Sequence, residues 1–273
     1  MPLNLFYITN NPEVALIAQK YGVNRIWIDL ETLGKEERQK NINSVKSHHS
    51  VNDISIIKPL LSKSELLVRI NPWNVNSNKE IDSVINAGAD IIMLPYWKSA
   101  EEVSKFLNSV NRRAKTTLLL ETKEAVECVD EVLKLDFDEI HIGLNDLHLS
   151  YGLTFMFELL ANGTVESLCD KFKLKDIPYG FGGIGKPGDG LLPAEKIILE
   201  HYRLGSTRAI LSRTFCNYEN MNDINEIDIL FRNNMQILRS YESSILNISV
   251  QEFNLNKIEV IEKVNEIVDK LRR

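Results

Sequence analysis

The chain has 273 residues, a net charge of −6 and a hydrophobic content of 44%, values that fit one large or two small globular domains. No basic patch is dense enough to suggest nucleic acid, and no apolar run is long enough to span a bilayer. Met1-Pro2-Leu3-Asn4 lacks the regions of a signal peptide, and Cys128, Cys169 and Cys216 are far apart and odd in number, so the expectation is a reduced, cytoplasmic protein without a disulfide frame or a zinc site.

Apolar runs alternate with helical patterns along the chain. Leu3–Ile8 reads as a strand, Pro12–Tyr21 as a helix closed by Gly22, and Arg25–Leu30 as a second strand that ends in Asp29-Leu30-Glu31. A polar segment, Thr32–Ser50, follows with Lys35, Arg38, Lys40, Lys46, His48 and His49. Val51–Leu61 is a helix, Glu65–Ile70 a third strand, Lys79–Ala87 a helix stopped at Gly88, Ile91–Leu94 a fourth strand ended by Pro95, and Ala100–Asn111 a helix. Thr117–Leu120 and Glu139–Ile142 supply strands five and six, joined by an amphipathic helix over Ala125–Leu133. Phe155–Lys175 is helical with a break at Asn162-Gly163. Tyr179–Phe181 is a short seventh strand running into Gly182-Gly183-Ile184-Gly185, Pro193–Leu204 is a helix stopped at Gly205, and Arg208–Leu211 is the eighth strand.

Eight strands alternating with helices predict a (β/α)₈ TIM barrel over residues 1–220. The runner-up is a doubly wound open sheet, which would place a glycine-rich turn where Thr9-Asn10-Asn11 stands. Additional C-terminal helices, Asn222–Ser240 and Leu255–Arg273, make up a helical segment over residues 221–273. The last helix places Ile258, Ile261, Val264, Ile267, Val268 and Leu271 on one face, to be buried on its own barrel or a neighbouring one.

In a barrel the chemistry belongs just past each strand, at the carboxyl end. Strands five and six each run into a carboxylate, Glu121 and Asp146. Oxygen ligands at equivalent places on successive units suit a hard divalent cation such as Mg²⁺. The alternative is that Glu121 starts a helix and Asp146 caps one. Arg69 lies at the mouth of an apolar strand, where a guanidinium needs an anion. That anion is Glu31, Glu121 or a substrate oxygen, and in the last case Arg69 beside a metal would stabilise an enolate. The glycines from Gly180 to Gly190 read either as an anion cradle or as a flexible lid. His48 and His49 are an acid–base pair or a solvated surface, while His141 is a core or site-supporting group and His148 is open. Ser212 and Arg213 complete the mouth.

Val68-Arg69-Ile70-Asn71-Pro72, Leu119-Leu120-Glu121-Thr122-Lys123-Glu124-Ala125 and Ile142-Gly143-Leu144-Asn145-Asp146-Leu147 resemble the HpcH/HpaI aldolase and citrate lyase β-subunit family. Ala87-Gly88-Ala89-Asp90 followed by Met93-Leu94-Pro95 is similar as well. The likeness runs from Arg25 to Phe215. It implies a phosphoenolpyruvate/pyruvate-type barrel, commonly a homo-oligomer with an exchanged C-terminal helix. It also implies Mg²⁺ or Mn²⁺ held at Glu121 and Asp146, Arg69 facing a keto or enolate oxygen, and the backbone of Gly143, Leu144 and Asn145 meeting the carboxylate of a small anionic oxo-acid. The implied reaction is reversible carbon–carbon cleavage through a metal-bound pyruvate enolate. The alternatives are an acyl-CoA lyase of the citryl- or malyl-CoA kind, or a non-catalytic barrel that binds an anionic metabolite. Where the aldolase branch has a histidine base, after the Asp-x-Glu of strand two, this chain has Thr32. Glu31, His49 or water on the metal is then the candidate base.

Overall fold

The computed structural model describes residues 1–34, 49–221 and 223–273. Eight parallel strands follow one another in sequence order around a closed barrel: β1 (Asn4–Ile8), β2 (Arg25–Asp29), β3 (Glu65–Arg69), β4 (Ile91–Leu94), β5 (Lys115–Leu120), β6 (Glu139–Ile142), β7 (Tyr179–Ile184) and β8 (Arg208–Leu211). The expected TIM-barrel architecture with extra C-terminal helices is what the chain adopts. Among the described residues no helix is long and apolar enough to cross a membrane.

The chain divides into two compact units, Tyr7–His141 and Met1–Phe6 with Ile142–Arg273. In the first, β2 and β3 pair with Arg25 beside Glu65, Trp27 beside Leu67 and Asp29 beside Arg69. Alternation along a strand puts these three rows on one face. That face is the barrel interior, because Arg25 reaches Glu139, four strands away. The other face of β2, with Ile26 and Ile28, is also fully buried, as expected of a parallel strand covered on both sides. Helix Pro12–Lys20 starts on Asn11, whose side chain accepts the N–H groups of Glu13 and Val14. The connection between β5 and β6 is not the single helix its periodicity predicts. It forms two short helices, Lys123–Glu127 and Val129–Val132, which meet at Cys128. There the Cys128 N–H still bonds the carbonyl of Glu124, while the next helix begins from the Cys128 carbonyl.

In the second unit, Gly163 has a φ of 82° and separates helix Glu158–Ala161 from helix Thr164–Leu174, the break expected at Asn162-Gly163. The last helix, Val250–Leu271, begins with a capping box between Ser249 and Glu252. It lies against helices Glu158–Ala161 and Ala194–Arg203 of its own chain. The Asn256 amide donates to Glu200 at 2.9 Å, Lys257 meets Glu166 at 2.7 Å, and Lys196 pairs with Glu259. The buried stripe is Asn256, Val260, Val264, Ile267 and Val268. Ile258 and Leu271, expected on it, are exposed: Ile258 lies off the stripe that Asn256 and Val260 define, and Leu271 is the last residue of the helix.

Candidate active site

Arg69 is the last residue of β3 and is only 9% exposed. Its side-by-side neighbour on β2 is Asp29, and the two form a bidentate pair, with Nε and Nη2 each 2.8 Å from a carboxylate oxygen. Nη1 lies 3.2 Å from Glu31 Oε2, and the guanidinium sits 5.1 Å from the centre of the Trp27 ring. Burial alone would lower the pKa of this arginine. The charges of Asp29 and Glu31, helped by Glu121, outweigh burial and raise it well above its ordinary value. The sequence allowed Glu31 as partner and the structure adds Asp29. The register signals it, since both residues end adjacent parallel strands in the same row.

The Asp29 carboxylate also accepts the Glu31 N–H at 3.2 Å, which fixes the turn out of β2. Both acids are buried. The Asp29 N–H donates to Nδ1 of His49 at 2.9 Å. His49 is half-buried and returns to the end of β2, so the solvated-surface reading gives way to a place beside the acid cluster. An Nδ1 that accepts a backbone N–H cannot itself carry a proton, so the ring is neutral with its hydrogen on Nε2. His48, Lys35, Arg38, Lys40 and Lys46 lie outside the described residues. Thr32 donates its N–H, at 2.9 Å, and its hydroxyl, at 3.3 Å, to the Asn71 side-chain oxygen. The position resembling the family's histidine thus ties down the loop.

Glu121 follows β5 and is 2% exposed. Its Oε1 accepts the backbone N–H of Tyr96 at 3.0 Å, so it does more than begin the helix that Thr122 caps. In the second unit Gly143 precedes helix Leu144–Ser150, with Leu144 buried, Asn145 half-buried and Asp146 8% exposed in the first turn. Asp146 is not the capping residue. Its Oδ1 is buried and has no hydrogen-bond partner among the described residues, an arrangement that costs free energy unless something compensates it. His148 Nδ1 lies 3.2 Å from the Leu144 carbonyl, which can only accept, so this histidine braces its own helix. His141 is buried within β6.

The first half of the glycine-rich stretch belongs to a strand and not to a loop. Strand β7 continues through Gly182 and Gly183 to Ile184, with a register shift between Gly180 and Gly183. Gly182 has a φ of 52°, and a Cβ there would stand 2.6 Å from Leu144 Cδ1. Packing demands this glycine. Past β8, the Ser212 and Thr214 hydroxyls share a hydrogen bond of 2.8 Å in the turn that carries Arg213.

Among the described residues no group of three or more His, Cys, Asp or Glu gathers as a ready metal cage. Glu121 and Asp146 are each a buried carboxylate, the residue type that hard cations take, and Asp146 Oδ1 has no hydrogen-bond partner among the described residues. A closed parallel barrel with acids and a buried arginine just past its strands is the class of scaffold used by barrel enzymes. Residues 3–157 match the sequence model of the HpcH/HpaI aldolase/citrate lyase family. The chain belongs to that family, and its chemistry is of the general aldolase/lyase type. Among solved structures, the HpcH/HpaI aldolase from Desulfitobacterium hafniense DCB-2 is similar at 14% identity and a TM-score of 0.58, covering 87% of this chain and 93% of that one. No curated protein matches the chain.

Proposed function

We propose that this protein is a class II, divalent-metal-dependent carbon–carbon lyase that cleaves or forms a small 2-oxo acid. The observation that carries the reading is the buried Arg69 at the end of β3, bidentate to Asp29, paired with Glu31 and influenced by Glu121. Mg²⁺ or Mn²⁺ held by Glu121 and Asp146 would supply Lewis-acid polarisation of the oxo-acid oxygens.

Arg69 donates two of its five N–H groups to Asp29 and is ion-paired with Glu31. Its N–H groups on the side away from Asp29 suit a keto oxygen that becomes more negative as the carbon–carbon bond breaks, which is where a fixed cation accelerates the reaction. Glu31 is the proton acceptor for the hydroxyl of the bond being cleaved. His49, with its hydrogen on Nε2, offers a hydrogen bond, without transferring the proton, to the same oxygen as it turns from hydroxyl into aldehyde carbonyl, as a neutral imidazole can. The backbone of Gly143, Leu144 and Asn145, at the start of a helix, suits the substrate carboxylate.

The test is exchange of the pyruvate methyl hydrogens for deuterium, followed by NMR. Exchange is expected with Mg²⁺ or Mn²⁺, and its loss is expected with chelator or in Glu121→Ala. Absence of exchange with both metals would refute the assignment.

A further inference from the structure

Among the described residues four that are not glycine have a positive φ: Tyr96, Asn111, Arg112 and Asp176. Asn111 and Arg112 follow helix Ala100–Val110, and Asp176 follows helix Thr164–Leu174, places where a left-handed residue closes a helix as a matter of course. Tyr96 has no helix to close. It comes two residues after β4, with a φ of 51°. A bulky side chain is strained there, and such strain persists only where the surroundings over-determine it.

Two hydrogen bonds do so. The Tyr96 N–H donates to Glu121 Oε1 at 3.0 Å, and the next carbonyl, that of the fully buried Trp97, accepts the Thr122 hydroxyl at 2.9 Å. Consecutive residues past β4 are stitched to consecutive residues past β5. We infer that Tyr96 is a positioning residue for Glu121: its left-handed backbone aims the N–H that sets the orientation of the carboxylate. The role belongs to the peptide group and not to the phenol ring. It rests on the reading of Glu121 as a cation ligand.

Two substitutions separate backbone from ring. Tyr96→Gly adopts the left-handed conformation without strain, whereas Tyr96→Val, β-branched, resists it most. Full-length wild type, both variants and Glu121→Ala are titrated with Mn²⁺ by calorimetry. Tyr96→Gly is expected to bind within about twofold of wild type and Tyr96→Val about tenfold more weakly, with Glu121→Ala weaker still. Equal losses in glycine and valine would place the role in the ring and overturn the inference. Should the valine variant fail to fold, hydrogen exchange decides. The Tyr96 amide is expected to exchange at least about tenfold faster in Glu121→Ala than in wild type, and an unchanged rate overturns the inference. A wild type that binds no Mn²⁺ removes Glu121 as a ligand altogether. A wild type that binds, with valine unaffected, removes only the positioning role.

Discussion

Arg25 opens β2 and Arg69 closes β3, and both are buried in acidic company within the unit Tyr7–His141. Around Arg25 the contacts are direct ion pairs. Arg25 and Lys115 face Glu65 and Glu139, with Arg25 bidentate to Glu139, its Nε 3.2 Å from Glu65, and the Thr117 hydroxyl donating to Glu139 at 2.6 Å. Around Arg69 the acids converge on the guanidinium, which is bidentate to Asp29, paired with Glu31 and within the influence of Glu121. Buried charge is tolerated when paired and becomes expensive in excess. The amino end of these strands is a structural plug of ion pairs. At the carboxyl end Arg69 draws Asp29, Glu31 and Glu121 together, and this is the end where barrels place their chemistry.

Replacing each arginine by methionine tests that contrast and should give the largest effects. Arg25→Met and Arg69→Met each strip the partner from buried carboxylates, so each should lose about 3–5 kcal/mol in urea unfolding. Their response to Mn²⁺ should differ. A cation at the carboxyl end replaces part of what Arg69 supplied, so the stabilisation from added Mn²⁺ should be larger in Arg69→Met than in wild type and unchanged in Arg25→Met. Equal responses from the two variants would erase the distinction between the ends.

The barrel was legible because its signals are local and repeated: eight apolar runs of strand length, with Gly22, Gly88 and Gly205 closing helices, each at positive φ. Glu121, Asp146 and Arg69 could be singled out because charge at the end of an apolar strand is unusual. Partners were harder to see. Asp29 as the clamp on Arg69 depends on strand register, and the place of His49 beside the end of β2 comes after a polar stretch of sequence with no periodicity. The left-handed Tyr96 left no trace at all, because tyrosine is not a residue type that announces such a backbone. Gly182 was visible, but its close approach to Leu144 was not, since a glycine demanded by a neighbouring side chain looks in sequence like a glycine demanded by an anion.

In the unit Ile142–Arg273 that begins with Met1–Phe6, the site residue is held by shape and not by charge, and the expected effect is smaller. Gly182→Ala adds a Cβ at 2.6 Å from Leu144 Cδ1 on a backbone with φ of 52°, which should cost about 1–3 kcal/mol. Leu144 opens the helix that carries Asp146, so Mn²⁺ affinity should fall as well. The double variant Gly182→Ala with Leu144→Ala removes the collision and should cost less than the sum of the single losses by at least about 0.5 kcal/mol. Strict additivity in a thermodynamic cycle would show that the two side chains do not contend for the same space.

The smallest effect is expected at Glu80, which supports the Arg69 end from outside it. Glu80 Oε1 accepts the Asn71 N–H at 3.1 Å and the Asn71 amide at 2.8 Å, and Asn71 in turn holds Thr32 and Leu33. Burial raises the Glu80 pKa, and the Asn71 hydrogen bonds only partly oppose it. A carboxyl whose pKa is raised by folding binds its proton more tightly in the folded state. Its contribution to stability is thus fully present below the unfolded pKa and is lost as pH rises through the folded one. Glu80→Gln keeps an acceptor oxygen for Asn71 and removes the charge. Because the site is partly exposed, its gain at pH 7 should be less than about 1 kcal/mol, and it should vanish near pH 4, where wild type is itself protonated. Urea unfolding at the two pH values checks this. A gain of the same size at both would trace the effect to packing around Asn71 and leave the charge balance of the carboxyl end untouched by Glu80.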